Sequence, residues 1–543
     1  MATSNRVREG LAAVTDPQAF SRGEMLARCD GGSFDVLVIG GGASGLGVAV
    51  DAAQRGYSTC LLEAEDFAKG TSSRSTKLVH GGVRYLEQMD IALVMEALRE
   101  RGLMHENASH LVHDLAFIVP RYSWWEAPFY GVGLKLYDLL AGKRNLAPSR
   151  MLSRDDTLAA IPNVSVDGLL GGIEYHDGQF DDARMAIALA RTAASFGAAL
   201  VNHCRVTALR HGPDGMVHGV GAVDAESGRE FDVRAKVIVN ACGIFSDSIR
   251  AMADARAEPM IEPAQGVHLV LPRAFQPSDR AIMVPHTDDG RVLFVIPWHG
   301  RIVVGTTDTP MERAEIEPRA LPEEIDFILR NAGRYLERQP QRADVCSVFA
   351  GMRPLVHEGG RGGATKSISR SHKVLVDPSG LVSILGGKWT TYRKMAEDTL
   401  DRAIDVGMLT RRPCATESLR IHGWMSRTDP ALPAEDWLRV YGADAPLVQS
   451  VCAERREWSA PLGAGVPMPL GVAAYAARHE MARTVDDVLA RRTRCLLLDA
   501  RAARACARSV ATVMAQELGR DSAWVERECE SFEALADGYI LGA

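Results

Sequence analysis

The 543-residue sequence lacks the marks of several large classes of protein. Basic residues do not outnumber acidic ones (62 against 69), which disfavours nucleic-acid binding, because that role needs a positive face to displace counterions. The ten cysteines include no C-x-x-C pair, which argues against zinc ribbons and thioredoxin-like redox sites. No cluster has the ligand spacing of zinc or calcium sites, and we expect no metal.

Long apolar segments are also scarce near the N-terminus. The first 33 residues carry Glu9, Asp16 and Glu24 and no apolar run of the kind found in secretory signals. The longest uncharged stretch there, residues 36–50, is rich in glycine and too short to cross a bilayer. We therefore predict no transmembrane helix and a reducing, cytosolic location.

Glycine is abundant, with 50 residues, and three of them form a motif. Gly40-x-Gly42-x-x-Gly45 follows the apolar run FDVLVI and opens a helical pattern, and Glu63 ends the next strand-like run. Such glycines let the backbone approach a pyrophosphate at the helix N-terminus, while the acid accepts hydrogen bonds from ribose hydroxyls. In this order of strand, turn, helix and strand, the motif predicts a dinucleotide site.

Two segments far apart in the sequence favour a flavin over a nicotinamide cofactor. The long polar loop DFAKGTSSRSTKLVHGG follows Glu63 and is suited to wrapping a pyrophosphate and a flavin ring. Much later, Gly386-Gly387-Lys388 opens the helix WTTYRKMAED, whose N-terminus can face an anion. We predict FAD, held by Gly40, Gly42, Gly45, Glu63, Thr71, Ser72, Ser75, His80, Gly81, Gly386, Gly387 and Thr390. For His80, bracing of the loop stays an equal alternative to flavin contact.

Six segments occur in an order found in one enzyme family: TSSRSTKLVHGGVRYLE, GGIEYHDGQFDDARM, GVHLVLP, VGTTDTP, SVFAGMRPLV and LGGKWTTYRKMAED. The sequence resembles the FAD-dependent glycerol-3-phosphate dehydrogenases, the aerobic, membrane-associated enzymes of the D-amino-acid-oxidase-like flavoprotein group. The resemblance covers roughly residues 33–540. It implies oxidation of sn-glycerol 3-phosphate to dihydroxyacetone phosphate, with hydride transfer from C2 to N5 of FAD and electrons passed to a membrane quinone.

The patterns and the resemblance together predict an α/β (α+β) fold in three parts. A Rossmann-type FAD-binding domain is expected to interleave with an antiparallel-sheet substrate domain, followed by an all-helical C-terminal domain. After a lead of residues 1–33, the FAD-binding domain takes about 34–110, 150–250 and 345–404. The substrate domain takes about 111–149 and 251–344, and the helical domain 405–543.

A phosphate dianion beside a secondary alcohol needs several cations in fixed positions, and arginine suits phosphate best. The candidates for substrate binding are Arg84 with Tyr85, and Arg370, which could equally be a solvated loop charge. Arg353 and Lys388 are candidates for catalysis. Arg353 follows an apolar strand, where an anionic substrate or a buried salt bridge would explain its charge, and Lys388 could contact flavin or substrate. By resemblance, these positions line the family's site beside the flavin.

His268 lies in the alternating strand GVHLVLP, where a lone histidine is more often a buried core residue than a base. The resemblance favours catalysis instead, in which His268 accepts the proton of the C2 hydroxyl, since an unperturbed histidine titrates near working pH. Arg353 would then polarise the same oxygen and stabilise its developing negative charge. The identity of the base stays open at this point.

Residues 121–145 mix aromatic and basic side chains, among them Trp124, Tyr130 and Tyr137. Two interpretations stay open: an interfacial helix that touches anionic lipid, or a lid packed on the core. The family's delivery of electrons to membrane quinones favours a peripheral location on the inner face of the cell membrane, and a homodimer is expected from the resemblance only. A same-fold oxidase that releases hydrogen peroxide and a non-catalytic flavin-binding protein remain as alternatives.

Overall fold

The computed structural model describes residues 20–82, 91–124, 126–357, 372–463 and 465–542. In these ranges the strands are β1 (Ser33–Ile39), β2 (Thr59–Leu62), β3 (Leu78–Val79), β4 (Val112–Arg121), β5 (Arg150–Leu152), β6 (Gly171–Phe180), β7 (Ala199–Val201), β8 (Cys204–His211), β9 (Val217–Asp224), β10 (Glu230–Asn240), β11 (Ile261–Pro272), β12 (Ala281–Val284), β13 (Leu293–Trp298), β14 (Arg301–Gly305), β15 (Thr309–Pro310), β16 (Ser347–Val356), β17 (His372–Val376), β18 (Val382–Gly386), β19 (Pro461–Gly463) and β20 (Val466–Pro469).

The α-helices are α1 (Arg22–Cys29), α2 (Ala43–Gln54), α3 (Ile91–Asn107), α4 (Glu126–Ala141), α5 (Arg154–Ala160), α6 (Asp182–Ser195), α7 (Ser246–Ala253), α8 (Pro322–Gly333), α9 (Tyr392–Val406), α10 (Asp436–Arg439), α11 (Ala445–Ala453), α12 (Val472–His479), α13 (Cys495–Leu498), α14 (Ala500–Leu518) and α15 (Ser522–Asp537). A turn of π-helix, Asp487–Arg492, precedes α13. None of the helices in the described ranges combines the length and the apolarity needed to cross a bilayer.

The first sheet has a parallel centre in the order β18-β10-β1-β2-β7, with β17 antiparallel at one edge and the β8–β9 hairpin attached to β10. Its central strand β1 buries Val36, Leu37 and Val38 completely, as expected of a strand covered on both faces. Helix α2 connects β1 to β2 and packs against α6 and α9. This is the predicted Rossmann-type arrangement.

The second sheet has ten strands in the order β15-β11-β14-β13-β12-β4-β6-β3, with β16 paired to β11 and β5 to β6. Among the described strands of this second sheet, only the β12–β4 pair is parallel. Strand β11 runs antiparallel to β16 over most of its length and to β14 over its last five residues. The antiparallel sheet of the predicted substrate domain is therefore present, and β11 and β16 lie side by side in it.

The boundaries of the two interleaved parts differ from the predicted ones. Strands β3, β5, β6 and β16 belong to the second sheet, although the predicted boundaries assign residues 34–110, 150–250 and 345–404 to the FAD-binding domain. Strand β6 pairs with β4 over ten residue pairs, and such pairing between distant segments has no local signature in the sequence. The chain therefore crosses between the sheets more often than hydropathy patterns indicated.

The C-terminal part contains α10 to α15 and the short hairpin β19–β20, and unlike the predicted all-helical domain it begins with a mostly irregular stretch, residues 407–435. It is joined to the first sheet's domain by buried ion pairs, in which Arg491 and Arg492 contact Asp66 at 2.6 Å each. Asp66, His203 and Asp487 place their ligand atoms within 4.8 Å of one another, a spacing that could hold a cation. The two guanidinium groups already neutralise this cluster, because Arg491 also contacts Asp487 at 2.7 Å. We interpret it as an ion-pair network between domains.

Candidate active site

Two cavities of about 720 and 410 Å³ adjoin between the sheets, and we name them the glycine-loop cavity and the inner cavity. The first is lined by the β1–α2 turn, and the second by the face of the second sheet that carries β11 and β16. Both sizes lie in the range of small-molecule sites. The wall common to both is formed by Thr71, Pro354, Gly386, Gly387, Lys388 and Trp389. A long ligand in the first cavity therefore reaches the second at this wall.

The glycine motif packs the N-terminus of α2 against its own strand. Gly40 has φ +105°, and a Cβ there would lie 2.7 Å from the Ala241 carbonyl oxygen. Gly42 is the N-cap of α2, and the Ala43 N–H next to it donates to Ser72 Oγ at 3.0 Å. Gly45 lies beneath the cavity, where a Cβ would overlap the Gly40 carbonyl oxygen. The helix thus directs its positive end into the cavity with no side chain in the way.

Glu63 lines the glycine-loop cavity at the end of β2. Its carboxylate accepts hydrogen bonds from the Gly41 N–H at 2.5 Å and the Glu65 N–H at 2.8 Å. Burial raises the pKa of Glu63, and the two backbone donors oppose that shift. The side chain is thereby fixed at the position where the sequence places the ribose-binding acid.

The polar loop after β2 forms one wall of both cavities. Thr71 lines both of them, and its Oγ1 donates to the Met352 carbonyl at 2.5 Å. Ser72 lines the glycine-loop cavity, and Ser75 and His80 line the inner cavity. The Ser75 hydroxyl donates to Asp182 at 2.7 Å, which ties the loop to the start of α6.

Gly81 lies outside both cavities, contrary to its predicted place at the cofactor. Its N–H donates to the Tyr137 hydroxyl at 2.8 Å, and a Cβ there would overlap Leu98. The next residue, Gly82, lines the inner cavity instead. In the pair of glycines, the packing of Gly81 against α3 and α4 decides which of the two can face a ligand.

The second anion-facing segment runs from β18 into α9. Gly386 and Gly387 have φ +73° and +85°, so the chain turns here in a conformation that favours glycine. Lys388 follows and lines both cavities, and Thr390 lines the inner one. The Trp389 indole N–H donates to the Ser72 carbonyl at 2.7 Å, which fastens this turn to the polar loop.

Three glycines on neighbouring strands make room for the charged side chains of the inner cavity. A Cβ at Gly266 would lie 2.5 Å from Arg353 Nη2, and one at Gly305 would overlap the ring of His268. At Gly351 it would lie 2.9 Å from Arg74 Cβ. Each glycine belongs to a different segment, GVHLVLP, VGTTDTP or SVFAGMRPLV, so these segments meet in one place.

His268 is buried in β11 and lines the inner cavity. It lies directly across from Phe349 of β16, and the two rings stack with their centroids 4.8 Å apart. Its Nε2 forms a hydrogen bond of 2.9 Å with Thr76 Oγ1. Burial, together with the charges of Lys77 and Arg353, holds the pKa of His268 well below its usual range. The imidazole is therefore neutral at neutral pH and able to accept a proton.

Arg353 lies on β16, and its guanidinium is held by several acceptors. Nη1 contacts Asp308 Oδ1 at 2.8 Å, and Nη2 donates to the Thr307 carbonyl at 3.0 Å. Its side chain is 26% exposed and lines the inner cavity. Arg353 thus forms a salt bridge, one of the two interpretations of its charge, and also borders the cavity, while its contact with an anionic substrate stays a prediction.

The inner cavity has an apolar wall opposite these charges. It includes Phe117, Tyr130, Tyr175, Met283 and Phe294. Phe117 stacks on Tyr175 with centroids 5.1 Å apart and meets Phe294 edge to face at 5.8 Å. Tyr130 belongs to α4, within the aromatic and basic segment 121–145. This part of the lining is therefore apolar and aromatic, as in most small-molecule sites.

Three predicted substrate residues, Arg84, Tyr85 and Arg370, lie outside the described residues. Sequence reasoning assigned no role to Trp389, Thr76 or Phe349, although each occurs in a segment that was singled out. Asp308 occurs in VGTTDTP, and its ion pair with Arg353 depends on the pairing of β11 with β15 and β16. A pairing of this kind gives no signal in either segment alone.

The chemical groups that line the two cavities are those that an FAD molecule needs. A glycine-lined helix N-terminus, a fixed carboxylate at the end of β2 and a second glycine turn border one elongated cavity. These are the groups that a pyrophosphate, a ribose and a ring system held at its edge require.

Comparisons with known proteins agree with this geometry. Residues 35–393 match the model of the FAD-dependent oxidoreductases, and residues 382–525 match that of the C-terminal domain of alpha-glycerophosphate oxidase.

Relatives of known name cover almost the whole chain. The mitochondrial glycerol-3-phosphate dehydrogenase of Homo sapiens is 39% identical over 92% of this chain and 72% of its own length. The probable mitochondrial enzyme of Caenorhabditis elegans is 40% identical over 93% of this chain and 74% of its own length. The chain belongs to the family of FAD-dependent glycerol-3-phosphate dehydrogenases. The predicted family, fold class and cofactor are thereby confirmed.

Solved structures of the family and its fold extend the comparison. The glycerol-3-phosphate dehydrogenase from Bacillus halodurans, crystallised with FAD, is 29% identical and superposes with a TM-score of 0.78 over 96% of this chain and 98% of its own. The L-alpha-glycerophosphate oxidase from Mycoplasma pneumoniae is 18% identical, with a TM-score of 0.55 over 71% of this chain. That second likeness shows the shared fold alone.

Proposed function

We propose that this member of the glycerol-3-phosphate dehydrogenase family oxidises sn-glycerol 3-phosphate to dihydroxyacetone phosphate in the inner cavity and passes the electrons to a membrane quinone. The observation that carries the proposal is the wall shared by the two cavities. FAD supplies a two-electron acceptor when bound. Because the glycine-loop cavity ends at Thr71, Gly386 and Lys388, the reacting end of the cofactor would face His268 and Arg353 across the inner cavity.

His268 is proposed as the base that takes the proton of the C2 hydroxyl. Burial and neighbouring positive charges hold its pKa well below the usual range, so the imidazole is unprotonated at neutral pH; the same shift makes it a weaker base, which polarisation of the hydroxyl oxygen has to offset. Arg353, fixed by Asp308 and the Thr307 carbonyl, is proposed to polarise the same oxygen. Lys388, on the wall common to both cavities, can contact either flavin or substrate. Phosphate binding by Arg84, Tyr85 and Arg370 stays a prediction.

A quinone acceptor is supported by the apolar wall of the inner cavity. Phe117, Met283 and Phe294 offer a quinone ring an apolar surface that neither glycerol 3-phosphate nor oxygen requires. The wall leads to α4, on which Leu136 and Leu139 are 38% and 76% exposed. Trp124, just before α4, is 80% exposed. The segment thus covers the cavity with Tyr130 and presents apolar side chains outward, which supports a peripheral contact with a membrane.

The substrate assignment is tested by anaerobic mixing of the FAD-loaded protein with glycerol 3-phosphate. We expect the flavin absorbance to bleach, and Arg353→Ala to lose most of the rate while keeping its FAD. Bleaching by sarcosine but not by glycerol 3-phosphate would refute the assignment. Near-normal turnover in Arg353→Ala would refute the role given to that residue.

The acceptor is tested separately by reoxidation. Bleached protein should be reoxidised faster by a water-soluble quinone than by air, and Phe294→Asn should slow the quinone reaction while leaving glycerol 3-phosphate bleaching intact. Phe196→Asn, the same change at a partly exposed phenylalanine outside both cavities, is the control and should leave both reactions unchanged. Rapid air oxidation with stoichiometric hydrogen peroxide would favour the oxidase alternative.

A further inference from the structure

A buried lysine, Lys77, acts on His268 electrostatically although it does not itself line the inner cavity. Lys77 is fully buried at the end of the polar loop, and its Nζ contacts the two carboxylate oxygens of Asp182 at 2.9 and 2.8 Å. It also donates to the Ser73 carbonyl at 2.6 Å. A buried ion pair of this kind contributes little to stability, since packed apolar side chains do as well. Stability alone therefore does not explain why the Lys77–Asp182 ion pair lies next to the candidate active site.

Lys77 is connected to His268 through one aromatic ring. Its Nζ lies 5.3 Å from the ring centroid of Phe349 and 5.0 Å from that of Trp298. The Phe349 ring stacks on His268 at an interplanar angle of 14°. Thr76, the neighbour of Lys77 in sequence, forms the hydrogen bond to His268 Nε2. Two adjacent residues of the polar loop therefore hold the imidazole nitrogen of His268 and place a cation next to the Phe349 ring that stacks on it.

Two cations near His268 come from different parts of the chain. Lys77 approaches from the polar loop and Arg353 from β16, and both act on the imidazole with positive charge. Their carboxylate partners are Asp182, at the start of α6, and Asp308, which itself lines the inner cavity. The remaining titratable or charged groups that line the same cavity are Arg74, His80, Tyr130, Tyr175, Asp177, Arg291 and Lys388.

A base in this position faces a specific difficulty. The proposed substrate carries a phosphate dianion, whose charge favours the protonated imidazole and would disable the base as the substrate binds. We propose that Lys77 is a positioning residue that acts through Phe349 and Thr76 to keep His268 unprotonated when an anionic substrate enters the cavity. This inference rests on the proposed function, because it takes His268 as the base.

The test is the pH dependence of flavin bleaching in Lys77→Met. A unit charge removed from a distance of no more than about 10 Å, at an effective dielectric of about 20, shifts a pKa by about one unit. The acidic limb of the pH–rate profile for bleaching should therefore move to a pH about one unit higher. At a given pH on that limb, the reaction should be about tenfold slower. Lys77→Arg keeps the charge and should keep the limb. If Lys77→Met does not fold, Lys77→Met with Asp182→Asn removes the whole ion pair, and we expect a smaller shift of the acidic limb in the same direction, because Lys77 rather than Asp182 acts on the imidazole.

Arg184→Met is the matched control. Arg184 is a buried cation on α6, paired with Glu480 at 2.8 and 2.6 Å and lying 4.2 Å from the ring centroid of Tyr441. Its loss should reduce stability without moving the acidic limb. An equal shift in Arg184→Met, or an unchanged limb in folded, FAD-loaded Lys77→Met, would overturn the inference.

A second measurement separates this inference from the substrate assignment. In protein labelled with ¹³C-histidine, the His268 resonance, assigned by its absence from His268→Gln, can be titrated without substrate. We expect its pKa to rise in Lys77→Met and not in Arg184→Met. Absence of bleaching by glycerol 3-phosphate with this pKa shift present would refute the proposed function alone. Absence of the pKa shift would overturn the role of Lys77 whatever the substrate.

Discussion

The substitution Gly45→Ala in α2 tests most directly whether close packing of the glycine turn is needed for FAD binding. A Cβ at this position would come well inside 3.0 Å of the Gly40 carbonyl oxygen, the backbone atom that ends the strand below it. Neither partner is a flexible side chain, so α2 and the glycine turn must separate by about 1 Å. Forced overpacking costs about 1–3 kcal/mol, and the gain of about 1 kcal/mol from alanine's helix propensity offsets only part of this.

The separation moves the N-terminus of α2, which faces the glycine-loop cavity. Its interaction with an anion contributes about 0.3–2 kcal/mol and falls off within one turn, so a displacement of this size weakens it directly. Together with the strain, which FAD binding must overcome, we expect at least about tenfold weaker retention of FAD, equivalent to about 1.4 kcal/mol.

The assay is the FAD content of purified protein after gel filtration, followed by titration of the apoprotein with FAD. Gly47→Ala is the matched control, because it lies on the same helix and its Cβ would be 3.1 Å from the Tyr392 ring, which can yield slightly. We expect Gly47→Ala to retain FAD like the original protein. Equal FAD affinity in Gly45→Ala and Gly47→Ala would refute the steric reasoning.

Three further predictions follow from contacts elsewhere in the structure. Asp308→Ala should lower kcat/KM for glycerol 3-phosphate about tenfold or more by releasing the Arg353 guanidinium, whereas Asp308→Asn, which keeps an acceptor, should lose less; equal losses would contradict this. Burial alone would lower the pKa of His203 and of His299, but Asp487 and the pair Asp181 and Asp436 outweigh it and raise both pKa values. The stability that these contacts contribute is therefore present below about pH 6.5 and is lost as the pH rises through the raised pKa of the folded state. The melting temperature, measured between pH 6 and pH 9, should therefore depend less on pH in His203→Gln and His299→Gln than in the original protein. Leu139→Asp should reduce sedimentation with anionic lipid vesicles, and Met408→Asp, at a residue 91% exposed elsewhere in the chain, should not.

Local patterns were sufficient for the cofactor. The turn at Gly40–Gly45, the acid at Glu63 and the second glycine turn at Gly386 and Gly387 each follow a strand directly, so their chemistry can be read in order along the chain. The exception is Gly81, whose place outside both cavities depends on Leu98 and Tyr137. Two adjacent glycines look alike in a sequence, and only their packing distinguishes them.

The inner cavity depended on pairing between strands. His268 and Arg353 share a face because β11 and β16 run antiparallel in a fixed register, which places Phe349 opposite His268 and Arg353 opposite Ala264. The boundaries of the two interleaved parts differed for the same reason, since β6 and β16 pair in the second sheet with strands distant in the chain.

The sequence by itself determined that the chain binds a dinucleotide, because spacing within one strand, turn and helix fixes that geometry. The tertiary structure alone decided which polar residues meet. It paired Asp308 with Arg353, 45 residues away in the chain. It also brought the segment of Thr76 and Lys77 to His268, through a hydrogen bond between residues 192 apart. The charge state of a buried side chain depends on such neighbours, and for that reason the environment of the proposed base became visible only in the folded chain.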